Sequence, residues 1–337
     1  MMDLATTVIF LIVGSILMIY ASNVAVNNTI ILACKLGIPS LFIGLTLVSL
    51  GTDLPEIVNS IMSSYIGHAN LDIGDSIGSV LTQLTLVLGL LPFIGRSFTV
   101  KRKEILIMGG CLVLALIIIM SIVEKGYFTW INGLLLVGTW PIYLLLTDTV
   151  VDKDKLTRVC LNPELHPVTH RKIYHVILAV LGFIGVAVGV TMIITGVLEM
   201  SRIFNMPDFI ISFFIVSIGT SLPELVVDIG AIKKGEVEVA IGDIIGSCII
   251  DASFAIGIGQ MLFPNEVSAD LIVPAILYVI IASIGVIFIL SCRQKVDKKA
   301  GIVLIALYLL SYALLLIIRT TPAFDITSLI TIILIQS

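Results

Sequence analysis

Two glutamates, Glu56 and Glu224, each follow a proline inside a long apolar stretch, and the residues leading to them repeat: Gly51-Thr52-Asp53-Leu54-Pro55-Glu56 and Gly219-Thr220-Ser221-Leu222-Pro223-Glu224. An ionised carboxylate at bilayer depth costs about 2.5–3.5 kcal/mol on insertion scales, so a membrane segment that carries one carries it for a function. The proline removes a backbone donor and clashes with the carbonyl four residues earlier, that of Gly51 or Gly219, which opens the helix. In lipid a freed carbonyl must be satisfied by protein, water or a ligand. Carbonyls around 49–52 and 217–220 are therefore candidate cation ligands.

A second motif recurs at the same offset, Ile73-Gly74-Asp75-Ser76-Ile77-Gly78-Ser79 against Ile241-Gly242-Asp243-Ile244-Ile245-Gly246-Ser247. Helical spacing lines up its polar members: Asp75, Ser79 and Gln83 fall at i, i+4 and i+8, as do Asp243, Ser247 and Asp251, while Thr52 and Thr220 stand one turn before their glutamates. Every such position offers a hard oxygen ligand. That suits Ca²⁺, which takes about 6 to 8 oxygens in flexible geometry, and Na⁺, but no soft metal. Asp75 and Asp243, near the starts of their segments, read equally as helix caps or gates and as ion contacts. Asp72, Glu236 and Glu238 read as solvated end residues, and Asp228 as an exit-path carboxylate or a surface one.

The elements that must position these groups are membrane helices. The chain has 337 residues, 58% hydrophobic and only 12% charged, with a mean hydropathy of +1.16, too little polar surface for a water-soluble domain of this length. Apolar runs predict ten spans, near 5–32, 39–65, 73–94, 104–123, 127–148, 173–200, 208–232, 237–263, 269–291 and 300–318. If the connecting loops alternate sides, sixteen of the 19 basic residues fall on one side, leaving Lys125, Arg202 and Arg319 on the other. The positive-inside rule puts the rich set in the cytoplasm and both termini outside. The first span lacks a basic leader and a cleavage site and reads as retained.

The reading divides the chain into a first five-helix repeat at 1–148, a cytoplasmic linker at 149–172, a second repeat at 173–319 and a C-terminal extension at 320–337. Cys34, Cys111, Cys160, Cys248 and Cys292 show no metal spacing and read as apolar fillers. His68, His166, His170 and His175 read as solvated edge or loop residues. Glu56 and Glu224 lie in the second and seventh spans, and an odd number of crossings reverses direction. The halves are therefore inverted repeats, the sequence pointer to a secondary transporter with a mid-membrane site. The expected fold is all-α, ten transmembrane helices in two inverted five-helix repeats.

At the two Gly-Thr-x-Leu-Pro-Glu segments the chain resembles the cation/calcium antiporter superfamily, and prokaryotic sodium/calcium exchangers in particular, whose repeats carry a Gly-Thr-Ser-x-Pro-Glu signature. The resemblance spans nearly the whole length. It implies that Glu56 and Glu224 are the central calcium ligands, helped by the carbonyls of Thr52 and Thr220. It also implies that Ser49 and Ser217 bind sodium through backbone carbonyls, and that Ser79, Ser247 and Asp251 match side chains of the sodium sites. Three departures make the pocket more acidic or otherwise different: Asp53 stands where the signature has the serine kept at Ser221, Gln83 where Asn or Asp is usual, and Asp75 and Asp243 where Asn is usual.

The expected activity is exchange of Ca²⁺ for Na⁺ by alternating access, with H⁺ or another divalent cation as the alternative on the same scaffold. Gathered carboxylates in a low-dielectric site repel one another when empty, so the site switches sides only when loaded. The ions are cargo; no cofactor, enzymatic activity or nucleic-acid partner is expected, the lipid bilayer is the surrounding medium, and protein partners are unassigned. Two other classes are weighed. An intramembrane aspartyl protease wants Gly-x-Gly-Asp, which neither Gly-Asp pair provides and which leaves the glutamates unexplained. A cation channel would pass currents far above any carrier's turnover.

Overall fold

The computed structural model describes residues 3–35, 49–95, 97–148, 172–234 and 237–320. The first helix, α1 (Leu4–Lys35), is an unbroken apolar rod. A short α2 (Ser49–Thr52) is followed by α3 (Leu54–Tyr65), then by α4 (Ala69–Leu81), which passes through a π-helical turn at Thr82–Val87 into α5 (Leu88–Ile94). The half closes with α6 (Arg102–Val123) and α7 (Trp130–Asp148). The second half repeats the order. Rod α8 (Lys172–Phe204) leads to α9 (Asp208–Ile211), a π-helical turn at Ser212–Val216, α10 (Ser217–Thr220) and α11 (Leu222–Lys234). Then come α12 (Val237–Ile250), a π-helical turn at Asp251–Ala255, α13 (Ile256–Leu262), α14 (Ala269–Arg293) and α15 (Lys298–Thr320).

Among the described residues seven helical runs are long and apolar enough to cross a bilayer. Helices α3, α7 and α15 stand in the places of the other three expected spans. The start of the second span, the linker expected at 149–172 apart from its last residue, and the extension beyond Thr320 lie outside the described residues. The protein is an all-α membrane protein of two inverted five-helix repeats.

Large apolar side chains on the outer faces, such as Ile16, Tyr20, Leu145, Ile281 and Phe288, are exposed, while the interior is a mainly apolar core that also holds serines, carboxylates and amides. An apolar outer face over polar groups held inside is what lipid surroundings permit, since polar atoms there must find partners within the protein. With no hydrophobic drive between helices in lipid, close approach of small residues must hold them. Rods α1 and α8 run side by side more extensively than any other pair, with Gly182 and Gly185 seated on Ala25 and Ala21.

The repeats interlock. Equivalent residues lie 168 positions apart, the separation of Gln83 and Asp251. Helix α5 packs on α15 and its equivalent α13 on α7. At the first contact a Cβ on Gly89 would stand 3.1 Å from the Gly301 carbonyl; at the second, one on Gly257 would stand 3.0 Å from that of Gly133. The loops obey the same symmetry: β1 (Phe98–Thr99) pairs antiparallel with β2 (Lys295–Val296) at one end, and Tyr127 bridges Glu266 at the other. The fifth span, expected from 127, starts at Trp130 because this bridge and the turn at Gly126 (φ 74°) occupy its first residues.

Candidate functional site: an acidic centre between two broken helices

The helix breaks fall where the prolines require them. A single non-helical residue, Asp53, separates α2 from α3, and Ser221 separates α10 from α11, so that Pro55 and Pro223 stand in first turns, where a missing N–H costs nothing. Of the carbonyls that proline leaves without a helical donor, that of Gly51 lies 3.5 Å from the Ser22 hydroxyl of α1. Helices α4 and α12 cross these breaks. Gly74 and Gly78 let α4 approach the π-helical turn at Ser212–Val216; a Cβ on Gly74 would stand 2.6 Å from the Phe209 carbonyl.

This packing brings one repeat's residues onto the other's. The Thr220 hydroxyl donates to Asp75 Oδ1 at 3.0 Å and lies 3.2 Å from the Ser79 hydroxyl. Gln83 Nε2 donates to Asp251 Oδ2 at 3.3 Å, joining equivalent positions across the pseudo-twofold, and the Cys248 thiol donates to Gln83 Oε1. Ser217 donates to the Phe213 carbonyl at 2.5 Å and lies 3.4 Å from Thr82, while its own carbonyl accepts from the Ser221 N–H at 3.1 Å.

The acids form one buried group. Asp53, Glu56, Glu224 and Asp251 have no exposed surface. Both carboxylate oxygens of Asp53, Glu56 and Glu224 lack a protein hydrogen-bond partner, as do Asp251 Oδ1 and the Ser221 and Ser247 hydroxyls. Glu56 is the charge that bears most strongly on Glu224, and Asp243 on Asp53. Among the described residues no Lys or Arg is buried to neutralise them. A set of desolvated anions without countercharge is unstable as such, so the group calls for protons or cations to neutralise it. No three acidic, His or Cys side chains among the described residues converge tightly enough to cage a metal by themselves. Hydroxyls and the carbonyls at the breaks are the other oxygens close to these acids. The structure thus gathers Asp53, Glu56, Ser79, Gln83, Ser217, Thr220, Ser221, Glu224, Ser247 and Asp251 in one region, with the backbones of Ser49 and Thr52 in the adjoining α2.

Several sequence expectations change. Asp75 is no cap: His68 precedes α4, and Asp75 is held in mid-helix by Thr220 and by Asn59, which donates to Oδ2 at 2.6 Å. Asp72, expected in solvent, is wholly buried, as is Asp228. His175 is buried too, its Nδ1 2.8 Å from Asn28 Oδ1. The side chain of Glu238 and all of Glu236 lie outside the described residues. Sequence reasoning missed the π-helical turns, which carry Gln83 and Asp251, a placement common at functional sites. It also missed Asn59, Ser60, Ser63 and Ser64, although with Glu56 they stand at i, i+3, i+4, i+7 and i+8, a legible single face.

The sequence pattern of the sodium/calcium exchanger protein family matches residues 6–147 and 174–318, and the chain belongs to that family. It is therefore a membrane protein of the cation-antiporter type. It is 30% identical over 312 residues to MJ0091, an uncharacterised membrane protein of Methanocaldococcus jannaschii, covering 90% of this chain and 96% of that one. Among solved structures, the sodium-calcium exchanger NCX_Mj is 27% identical with a TM-score of 0.58, covering 92% of this chain and 99% of that one. The H⁺/Ca²⁺ exchanger CAX, 17% identical, shares the fold with a TM-score of 0.72, covering 97% of this chain and 85% of that one.

Proposed function

We propose that the protein exchanges Ca²⁺ for Na⁺ across the membrane, with Glu56 and Glu224 as the paired calcium ligands and Asp53, Asp251, Ser79, Ser247, Gln83, Ser221 and the carbonyls of Ser49, Thr52, Ser217 and Thr220 completing the ion sites. The observation that carries this is the meeting of two fully buried, hydrogen-bond-free glutamates from opposite repeats with no buried basic residue among the described ones. Empty and ionised, the group is too costly to carry across the membrane. Loaded with one divalent or several monovalent cations it is near neutral, so each translocation needs cargo and the two fluxes are coupled. Both termini face outside and the 149–172 linker faces the cytoplasm, which puts the end with Tyr65 and His68 on the extracellular side.

Calcium flux in proteoliposomes tests this. An imposed Na⁺ gradient at fixed pH drives ⁴⁵Ca²⁺ uptake, and a pH gradient without Na⁺ does not; the reverse result assigns the protein to H⁺/Ca²⁺ exchange. That second reading draws on the acids beyond the glutamate pair, Asp53, Asp228 and Asp243, which protons would neutralise as well as Na⁺ does.

A further inference from the structure

The buried carboxylate of Asp72 is outside the site just described, and its surroundings are built. Helices α3, α4 and α13 meet there. Gln260 Nε2 donates to Asp72 Oδ2 at 3.1 Å and to Ser64 Oγ at 2.8 Å, and Ser64 Oγ lies 3.5 Å from Asp72 Oδ2. Three oxygens remain over: Asp72 Oδ1, Gln260 Oε1 and the hydroxyl of Ser60, which stands close to Asp72 but outside bonding geometry. All three residues have no exposed surface. The nearest charge acting on Asp72 is another carboxylate, Asp75. Ser60 is locked in place because Gly259 of α13 lies flat against its backbone.

We infer that Asp72, Ser60, Ser64 and Gln260 form a separate site for one monovalent cation, Na⁺, on the path between the central glutamates and the membrane face carrying His68. The path is the polar face of α3: Glu56, then Asn59 and Ser60, then Ser63 and Ser64, all buried, ending beside the His68–Asp208 pair at the surface. The ion's charge follows from the ligands. One carboxylate with neutral hydroxyl and amide oxygens balances a single positive charge, whereas Ca²⁺ would leave net charge in a desolvated pocket and find fewer oxygens than the 6 to 8 it takes. A proton on Asp72 would close one donor–acceptor pair; a cation engages all three leftover oxygens together. The second repeat has no such site, since the positions equivalent to Asp72 and Gln260 are Ala240 and Pro92. The site therefore serves one face of the membrane and one ion, holding Na⁺ a turn outside the centre it will enter.

The inference rests on the sodium reading for the identity of the ion. Equilibrium binding of ²²Na⁺ and ⁴⁵Ca²⁺ to the purified full-length protein tests both. Asp72→Asn should bind one Na⁺ fewer than the wild type, Ser60→Ala should weaken that same ion about fivefold, and both should bind ⁴⁵Ca²⁺ like the wild type, which reports an intact fold. Unchanged Na⁺ number and affinity in Asp72→Asn overturns the site while leaving Na⁺/Ca²⁺ exchange standing. If Asp72→Asn does not purify, unchanged Na⁺ affinity in Ser60→Ala overturns it instead. A change confined to the pH dependence of Ca²⁺ binding makes the ligand a proton and also overturns it. Should Ca²⁺ displace no ²²Na⁺ from the wild type, the sodium reading of the centre fails; the Asp72 site then stands only if a Ca²⁺-insensitive bound Na⁺ is lost in Asp72→Asn.

Discussion

The two repeats place Glu56 and Glu224 alike and surround them differently. Along α3 the face beyond Glu56 is Asn59, Ser60, Ser63 and Ser64; along α11 the same positions are Val227, Asp228, Ala231 and Ile232. Asp75 is tied down by Asn59 and Thr220. Its equivalent Asp243 has Val227 where Asn59 would stand, and its carboxylate bears on Asp53, Asp228 and Glu224. Duplication has kept what the centre needs, a proline break and a carboxylate from each side, and has let the approaches diverge. Inverted repeats give an exchanger two equivalent end states; unequal approaches make its two faces chemically distinct. One approach is lined by hydrogen-bonded amides and hydroxyls with Asp72 beside them, and the other carries Asp228 among apolar residues.

The comparison breaks first at the glutamates. Glu56→Gln and Glu224→Gln should each reduce Ca²⁺ flux in proteoliposomes to background while leaving expression near normal, because each removes one of the paired carboxylates proposed to face the divalent ion. If one variant retains flux, the centre is not shared equally and the mirrored site is wrong. Asp53 gives a finer test, because it is the one carboxylate at the breaks without an acidic equivalent. Asp53→Ser makes the breaks identical to each other at that position. It should preserve transport and shift the Ca²⁺ over Na⁺ preference by about tenfold, which corresponds to ~1.4 kcal/mol. Ser221→Asp should shift it the opposite way, measured as Na⁺ inhibition of ⁴⁵Ca²⁺ uptake.

What was legible in the sequence follows the same division. The breaks and their glutamates could be read because proline and charge in lipid have unambiguous costs, and the ten-span inverted plan because crossing number alone fixes direction. Asp72 was misread as an end residue because it sits in the first turn of α4, and only the packing of α13, almost two hundred residues later, buries it. The π-helical turns carry no composition signal: Thr82–Val87 and Asp251–Ala255 share the expected helical pattern and differ only in backbone bonding. His175 looked like a loop residue because it stands beside the basic linker, yet the rod α8 continues past it and meets Asn28.

Packing should prove more symmetric than chemistry. Gly89 and Gly257 are equivalent, each pressed on the partner repeat's glycine, so Gly89→Leu and Gly257→Leu should destabilise alike, by about 1–3 kcal/mol each for overpacking. Thermal melts in detergent that show one variant unaffected would mean that the repeats do not interlock symmetrically.

The smallest expected difference lies at two matched helix starts. Thr129 accepts from the Asn132 N–H at 3.2 Å ahead of α7, and Asp297, its equivalent, accepts from the Ala300 N–H at 2.9 Å ahead of α15. Both satisfy an orphan donor, and loss of a threonine cap typically costs about 1 kcal/mol. Their pH behaviour must differ. The Ala300 N–H, with Arg293 and Lys295 nearby, holds the Asp297 carboxylate below its ordinary value, so its cap contributes fully above the usual carboxylate range and is lost as pH falls through the depressed one. A hydroxyl cap has no such dependence. Thr129→Ala should therefore lower the melting temperature by the same amount at neutral and acid pH, whereas Asp297→Ala should matter at neutral pH and progressively less on acidification; parallel losses in both variants would mean that Asp297 acts through packing instead of charge.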